Sequence, residues 1–400
     1  MNEFRLAEIP RVASCPEIHE FTPAQAKEVL AYHRSFPDYA PTPLRNLSEL
    51  AKELGVSGVY VKDESYRFGL NAFKALGGSY AIGRYLGEKL GILPENLTFA
   101  RITAPETKEI LGEITFCTAT DGNHGRGVAW TANRLGQKCV VYMPKGSAID
   151  RVRNIEKLGA QVIVTEFPYD HTVRLAREAA EKNGWVTVQD TAWPGYTEIP
   201  LHVMQGYMTM ADEAHFQLDG ITPTHIFLQA GVGSMAGAVA GLMKLFCYPN
   251  EPTVIIVEPH NADCHFRSAL SGDGSLRATP GDLETIMAGL ACGEPNPTSW
   301  SIMRCAAHYA LSIPEYAAAD GMRVLASPIG QDRRITSGES GASAFGAFYE
   351  IMTRSELSSL RDQLALNQDS RVLFFNTEGA TDPVNYRKIV WEGAYAAPTK

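Results

Sequence analysis

Residues 139–165, CVVYMPKGSAIDRVRNIEKLGAQVIVT, contain the pattern that decides the fold. The β-branched run 139–143 predicts a strand, and the apolar residues after it recur at a helical spacing as far as Leu158. Gly159 ends that helix, and 161–165 returns to a strand. A strand–helix–strand succession of this kind indicates a parallel α/β sheet.

A second succession begins at His225. Residues 225–229 predict a strand, 234–246 a helix and 253–257 another strand. In such folds ligands bind outside the carboxyl ends of the parallel strands. The sequence therefore predicts a two-lobed α/β fold with parallel sheets.

The length of 400 residues suits two domains. We expect a large domain built from residues 1–80 together with 196–400, and a small domain over 81–195. We place the boundaries between the two domains near residues 80 and 195.

Charge and hydropathy exclude several classes of protein. A formal net charge of -9 and a pI near 5.6 argue against a nucleic-acid-binding protein, and no Lys/Arg block suits an anionic membrane. The longest apolar stretch, 230–243, is too short and too rich in glycine to span a bilayer, so it predicts a buried helix. The N-terminus lacks the apolar core of a signal peptide, and we expect a cytoplasmic protein.

The seven cysteines are scattered and include no CxxC pair. An odd, scattered set is typical of reduced thiols in a cytosolic protein. A pairing such as Cys264 with Cys292 stays open at this stage.

Lys74 is the most distinctive candidate for chemistry. It follows Phe73 in the segment 68–74, FGLNAFK, and precedes the pair Gly77 and Gly78. Partial desolvation lowers the pKa of a lysine, and the neutral amine attacks carbonyl groups. The alternative is an ordinary lysine on a helix surface.

A polar turn at 118–127, TATDGNHGRG, opens a predicted helix. Backbone N–H groups at such a turn bind carboxylates, and side chains add oriented hydrogen bonds. The turn places four polar candidates close together: Thr120, Asp121, Asn123 and His124. A glycine turn before a helix is also common for purely structural reasons.

A glycine-rich turn at 231–237, GVGSMAG, lies between a predicted strand and helix and has the form of a phosphate cradle. Its candidate residues are Gly231, Val232, Gly233, Ser234 and Met235. Glu258 ends the next strand, where the acid of a dinucleotide site lies, so a nicotinamide-dependent dehydrogenase is an alternative. Against it, the spacing G-x-G-x-x-x-G is one residue too long.

Weaker polar clusters occur at 189–193, 337–342 and 376–379, which include Asp190 and Thr377. Taken singly, each is typical of a cap or turn. The histidine spacing supports no metal site, and no G-x-S-x-G elbow of a serine hydrolase is present.

In combination these segments resemble the fold-type II pyridoxal-phosphate family, which includes serine and threonine dehydratases and the tryptophan synthase β chain. The matching segments are Phe73-Lys74, 120–124, 231–235, 257–259 and Thr377. The Glu-Pro step at 258–259 is typical of that family, which removes the dinucleotide reading of Glu258. The resemblance implies pyridoxal 5'-phosphate as the cofactor.

Within the family, seven segments resemble enzymes that eliminate ammonia from 2,3-diaminopropionate: KDESYRFGLNAFK, TDGNHGRGVAW, YMPKGSA, VQDTAW, IMAGLACGEPNP, SGESGA and TEGATD. Dehydratases of hydroxy amino acids usually carry serine in place of Asp121. A carboxylate there suits a substrate whose β-carbon bears an ammonium group.

The resemblance also implies roles for individual residues. Lys74 would carry the cofactor, residues 231–235 its phosphate, Asn123 its ring 3-oxygen and Thr377 its ring nitrogen. The substrate carboxylate would lie in the loop 120–124. Lys74 and Asp121 would act as bases on opposite faces, for L- and D-substrate respectively, and Asp190 would be a second carboxylate near the β-ammonium.

Two alternatives stay open: a serine or threonine dehydratase of the same fold, and a non-catalytic binding protein on this scaffold. The family also implies a homodimer. The expected partner is a small amino-acid substrate, without nucleic acid, membrane or metal ion.

Overall fold

The computed structural model describes residues 3–120, 122–147, 149–167 and 169–398. The predicted base Asp121 lies outside these described residues. The chain forms two compact units. The first unit comprises residues 1–23, 41–66 and 210–400, and the second comprises 24–40 and 67–209.

The first unit contains a seven-stranded sheet. Its five inner strands run parallel, and an antiparallel strand closes each edge. In spatial order the strands are β1 (Arg5–Glu8), β10 (Tyr309–Ile313), β9 (Thr253–Pro259), β8 (His225–Gln229), β11 (Arg371–Asn376), β3 (Gly58–Asp63) and β2 (Leu44–Asn46). Every residue of β3 and β8 is buried, as expected for parallel strands covered on both faces.

Helices surround this sheet. They are α2 (Ser48–Leu54), α10 (Ser234–Phe246), α11 (Cys264–Leu270), α12 (Pro297–Ala306), α13 (Glu315–Ala326), α14 (Glu339–Thr353), α15 (Ser358–Gln363) and α16 (Pro383–Val390). Short 3-10 helices of this unit cover Pro16–Glu20, His260–Ala262, Ala288–Leu290 and Ser355–Leu357. Another, Glu64–Gly69, crosses from this unit into the second, and the second unit contains Pro94–Asn96. In α10 all residues from Ser234 to Met243 are buried, which confirms the predicted buried helix.

The second unit contains a four-stranded sheet in which every pairing is parallel. Its order is β6 (Gln161–Val164), β5 (Lys138–Met143), β4 (Thr115–Ala119) and β7 (Val186–Thr187). Its helices are α1 (Pro23–Arg34), α3 (Ala75–Lys89), α4 (Phe99–Ile102), α5 (Pro105–Leu111), α6 (Asn123–Arg134), α7 (Ile149–Glu156), α8 (Tyr169–Asn183) and α9 (Glu198–Gln217), which continues into the first unit. The predicted strands at 139–143 and 161–165 correspond to β5 and β6.

The two units divide the chain differently from the ranges expected from sequence. Residues 24–40, 67–80 and 196–209 belong to the second unit, whereas we expected them in the large domain. Side-chain contacts give the reason. The buried ring of His33 hydrogen-bonds to Thr209 Oγ1 at 2.6 Å and to Ser79 Oγ at 2.9 Å, which joins α1, α3 and α9.

Within the described part of the chain, no helix is both long and apolar enough to cross a membrane. The seven cysteines are free thiols, and Cys264 and Cys292 form no disulfide.

Candidate functional site

Lys74 immediately precedes α3 and is partly buried, with 18% of its side chain exposed. Its Nζ donates a hydrogen bond to Asp190 Oδ2 at 2.5 Å and lies 5.5 Å from the centroid of the Phe73 ring. The predicted partial desolvation is therefore observed. The amine nevertheless faces a carboxylate, which favours the charged ammonium rather than the neutral amine expected from the sequence.

Asp190 follows β7 and is 7% exposed. Burial alone would raise the pKa of its carboxyl group. The charges of Lys74 and His124, with the hydrogen bond from Lys74, outweigh burial and hold that pKa well below its usual range. Asp190 is therefore a carboxylate throughout the neutral range.

His124 lies in the first turn of α6 and is buried. Its Nε2 is 2.8 Å from the carbonyl oxygen of Val188, and its Nδ1 is 3.9 Å from Asp190 Oδ2. Because a carbonyl only accepts, Nε2 carries a proton. Just before α6, Thr120 is buried and its Oγ1 accepts a hydrogen bond from Gly122 N at 3.0 Å.

Two residues that sequence reasoning did not assign to the site fix the position of Asp190. The side chain of Gln189 accepts from Thr118 Oγ1 at 3.0 Å and donates to Ala119 O at 3.1 Å, which ties it to the end of β4. The backbone N–H of Gln189 donates to Tyr196 Oη at 2.8 Å. Tyr196 belongs to no motif that we recognised in the sequence, whereas Gln189 belongs to the polar cluster at 189–193.

The glycine-rich turn 231–235 connects β8 to α10 in the first unit. Gly233 has φ +94°, and a Cβ there would lie 2.4 Å from His265 Nε2 and 2.6 Å from Ser299 Oγ. A Cβ on Gly231 would lie 3.1 Å from Cys292 Sγ. The turn thus needs glycine both for its backbone conformation and for its close neighbours.

Asn296 fixes this turn in place. Its backbone N–H donates to Val232 O at 2.8 Å, and its side-chain Nδ2 donates to Ser234 Oγ at 2.9 Å. No side chain caps the N-terminus of α10 at Gly233. The first turn of α10, including Met235, thus presents backbone N–H groups at the positive end of a 13-residue helix.

Thr377 follows β11 and is buried. Its Oγ1 accepts a hydrogen bond from Gln229 Nε2 at 2.9 Å, and Gln229 also donates to Phe375 O at 2.8 Å. Since its oxygen is already an acceptor for the amide, the Thr377 hydroxyl proton is directed elsewhere. Gln229 was predicted only as part of a strand.

Glu339 and Glu378 form a buried acidic pair in the same unit, at the N-terminus of α14. Burial and the charge of Glu378 raise the pKa of Glu339 to about 7. Glu378 Oε1 accepts a hydrogen bond from Ser340 N at 3.3 Å, and Asn385 Nδ2 donates to Glu339 Oε1.

Glu258, the acid that would bind the ribose in the dinucleotide alternative, already makes several hydrogen bonds within the protein. Glu258 is buried and accepts from the backbone N–H groups of His265 and Phe266 at 2.9 and 2.7 Å, and its Oε1 is 2.7 Å from His265 Nδ1. These bonds satisfy the start of α11, so the carboxylate serves the fold.

The histidine spacing predicted no metal site, yet the described residues contain two groups of three side chains whose ligand atoms lie within 4.8 Å of one another. One is Glu258, Cys264 and His265, and the other is Glu88, Glu198 and His202. Each group draws on two elements that are separated in the sequence, so spacing rules do not detect such a group.

Of the residues predicted from sequence, Lys74, His124 and Asp190 lie together in the second unit. Asn123 begins α6 beside His124. The turn 231–235 and Thr377 lie in the first unit. A partly buried lysine paired with a buried carboxylate, a glycine turn of the phosphate-binding type and a directed hydroxyl are the components expected of a cofactor-dependent enzyme acting on amino groups.

The family model described as "Pyridoxal-phosphate dependent enzyme" matches residues 36–378. The chain therefore belongs to the pyridoxal-phosphate dependent enzymes, and pyridoxal phosphate is the cofactor of this family. The predicted family and fold class are confirmed.

Within this family, the chain is similar over nearly its whole length to individual proteins. Diaminopropionate ammonia-lyase of Escherichia coli strain K12 is 52% identical over 379 residues, which are 94% of each protein. The crystal structure of selenomethionine-incorporated holo diaminopropionate ammonia lyase from Escherichia coli matches with a TM-score of 0.93 and 48% identity, over 100% of this chain and 99% of that one. The same enzyme in complex with D-serine matches with a TM-score of 0.92 and 48% identity, over 99% of both chains.

The residues of this chain fit pyridoxal phosphate. The first turn of α10 is free of side-chain caps and can hold a phosphate, because Gly231 and Gly233 leave its backbone bare. Lys74 supplies a partly buried amine, and Thr377 supplies a hydroxyl proton for a ring nitrogen. The phosphate, the carbonyl group and the ring nitrogen of the cofactor therefore each have a chemically suitable group in the chain.

Proposed function

We propose that this chain eliminates both amino groups of 2,3-diaminopropionate, of D and L configuration, so that the substrate and one water give pyruvate and two molecules of ammonia. The observation that carries the proposal is Asp190, a buried carboxylate with a depressed pKa that holds an alkylammonium group at 2.5 Å. Similarity to diaminopropionate ammonia-lyases over nearly the whole chain supports it.

The residue roles belong to the same proposal. Lys74 anchors the cofactor, residues 231–235 hold its phosphate, Asn123 its ring 3-oxygen and Thr377 its ring nitrogen. When bound, pyridoxal phosphate accepts the electron pair left at the substrate α-carbon. The loop that contains Thr120 and His124 binds the substrate carboxylate through its N–H groups and side chains.

Proton transfer at the α-carbon requires bases. We assign Lys74 to the L-substrate and Asp121 to the D-substrate, because the two enantiomers present their α-protons on opposite faces. A positioned base contributes about a hundred- to ten-thousand-fold to such a step. The D-serine complex of the Escherichia coli enzyme supports a D-amino acid as a ligand for this chain.

The role that we propose for Asp190 is to favour an amino leaving group. A β-ammonium group leaves as neutral ammonia and needs no acid, only a partner that keeps it in place. A β-hydroxyl group needs a proton in order to leave, and an ionised carboxylate has none to give. Asp190 therefore favours diaminopropionate over serine, the substrate of the alternative dehydratase function.

The proposal also covers the assembly of the protein, its role in the cell and the part played by the first unit. We propose a homodimer, as the family implies, and a role in amino-acid breakdown in the cytoplasm. The seven free thiols support a reducing compartment. We propose that the first unit supplies the groups for the phosphate and the ring nitrogen of the cofactor, since the glycine turn and Thr377 both lie there.

The test is a visible absorption spectrum of the purified protein, followed by an assay of pyruvate after addition of D,L-2,3-diaminopropionate. We expect a cofactor band that borohydride abolishes, with the cofactor found on the peptide containing Lys74, and pyruvate release. A band with pyruvate released from serine but not from diaminopropionate would support the dehydratase alternative. A protein that never acquires the band after addition of pyridoxal phosphate would contradict the proposal.

A further inference from the structure

A second cluster of ligand-type side chains lies at the end of α3 remote from Lys74. Glu88 of α3 and Glu198 and His202 of α9 place two carboxylate oxygens and a ring nitrogen within 4.8 Å of one another. Both glutamates are exposed, and His202 is buried. All three residues belong to the second unit.

Close packing of two helices brings these side chains together. A Cβ on Gly206 of α9 would lie 2.3 Å from Leu76 O of α3, and one on Gly77 would lie 2.7 Å from Val203 Cγ1. The backbones therefore approach nearly to contact and run antiparallel. Since Glu198 and His202 are four residues apart on α9, they share the face that meets the end of α3.

His202 does not behave as a satisfied core histidine. It is only 6% exposed, and neither ring nitrogen has a hydrogen-bond partner among the described residues. An imidazole is mostly neutral near pH 7, and its unprotonated ring nitrogen offers a lone pair. Buried polar groups normally have a partner, and a neutral imidazole is a common metal ligand.

We propose that Glu88, Glu198 and His202 bind a divalent cation of the zinc class, which fastens α3 to α9. Zn²⁺ accepts nitrogen and carboxylate oxygen ligands, and three protein ligands leave a fourth position for water. Two carboxylates balance the charge of the ion. The imidazole argues against Mg²⁺, which prefers an all-oxygen set.

Arg84 is the competitor for this ion. Its Nη2 lies 3.5 Å from Glu88 Oε1, with 20% of the arginine and 48% of the glutamate side chain exposed. Exposed pairs of this kind contribute little stability, so an ion bound by three ligands displaces it. Arg84 retains a contact with Tyr80 Oη at 3.4 Å, which gives the guanidinium a place beside the site.

The ion would be structural. Lys74 and Glu88 are separated by the length of α3, which is about 20 Å at the helical rise per residue. The cation therefore does not touch the reacting atoms, and the inference stands whether or not the proposed substrate is correct. The ion would hold α3, the helix that follows Lys74, in a fixed position against α9.

The experiment uses the holoenzyme after chelation and removal of the chelator, with Zn²⁺ titrated by calorimetry. We expect one high-affinity ion per chain and a rise in the thermal midpoint, with no rise for Mg²⁺ at the same concentration. His202→Gln and Glu198→Gln should each weaken binding at least tenfold. Glu198 is exposed, so its variant keeps the fold. His215→Gln, a change on the same helix, should bind as the parent protein does.

The seven thiols could also bind Zn²⁺, and X-ray absorption at the zinc edge separates the two cases. Our site predicts only nitrogen and oxygen neighbours at about 2.0–2.1 Å, whereas thiolate gives sulfur at about 2.3 Å. Sulfur neighbours, no retained ion, or equal affinity in Glu198→Gln would each overturn the proposal.

Discussion

Gln229 Nε2 donates a hydrogen bond to Thr377 Oγ1 at 2.9 Å, and this bond joins the carboxyl ends of the neighbouring strands β8 and β11. The amide occupies the acceptor side of the hydroxyl and directs its proton away from Gln229. A hydroxyl, unlike a carboxylate, does not force a bound pyridine nitrogen to be protonated. The pair thus sets both the direction and the strength of the hydrogen bond that we propose for the cofactor ring.

Gln229→Leu should lower kcat for diaminopropionate about five- to tenfold and leave KM nearly unchanged. The reason is that one neutral hydrogen bond, worth about 1 kcal/mol, no longer orients the Thr377 hydroxyl. Steady-state kinetics and the circular dichroism of the bound cofactor are the measurements. The exposed change Gln363→Leu is the control, and unaltered kinetics in Gln229→Leu would show that the bond serves only the fold.

Gly233→Ala should abolish tight binding of pyridoxal phosphate, with a loss of affinity of at least about 100-fold. The new Cβ would lie 2.4 Å from His265 Nε2 at a backbone φ of +94°, so the turn must move. Gly220→Ala is a matched control, because Gly220 has φ +84° but nothing within 4 Å of its Cβ position. Fluorescence titration of the apoenzyme with cofactor measures both, and equal affinities would contradict the assigned phosphate turn.

The local sequence pattern correctly predicted the first and last residues of some elements. β8 and α10 have the bounds expected from sequence, because an apolar strand, a glycine turn and a long apolar helix succeed each other without interruption. β7 is shorter than the expected 185–189, since the N–H of Gln189 leaves the ladder for Tyr196 Oη. That bond depends on a tyrosine seven residues away, which no periodicity reveals.

Contacts between residues far apart in the chain could not be predicted from the sequence. Lys74 and Asp190 are 116 residues apart, and although each was a candidate in its own segment, no local pattern pairs them. Gln229 and Thr377 are 148 residues apart and their contact was not predicted. The assignment of 24–40 to the second unit depends on His33 reaching Thr209, a side-chain bond over 176 residues.

Asp190→Asn should lower kcat/KM for diaminopropionate by at least about 100-fold, because a buried ammonium would lose its charged partner. The same change should alter turnover of serine by less than about tenfold, since a neutral β-hydroxyl does not need the charge. The ratio of the two substrates in parallel pyruvate assays is the measurement. Asp219→Asn, at an exposed turn, is the control. Equal losses for both substrates would show that Asp190 does not determine which leaving group the enzyme prefers.

Asp121→Asn should reduce turnover of D-diaminopropionate by at least about 100-fold and that of the L-enantiomer by less than about tenfold. Separate assays of the two enantiomers decide the point. Asp150→Asn, an exposed change in the first turn of α7, controls for the loss of one negative charge. Equal losses for the two enantiomers would refute the division of labour between Lys74 and Asp121.

Glu339→Gln should remove part of the pH dependence of stability. The pKa of Glu339 is raised from 4.5 to about 7 by burial and by Glu378, so the unfolded chain releases this proton at lower pH than the folded chain. Stability is therefore greatest below about pH 4.5 for this group, falls as the pH rises through 7 and then stays constant, with a total loss of up to roughly 3 kcal/mol.

Glutamine is neutral at every pH and keeps an oxygen that accepts from Asn385 Nδ2. The urea midpoint of Glu339→Gln should thus change less between pH 5 and about pH 8 than that of the parent protein, and the variant should be the more stable of the two at the higher pH. Glu95→Gln, at an exposed position, should follow the parent curve. Parallel curves for the parent and Glu339→Gln would mean that the acidic pair at α14 does not titrate in this range.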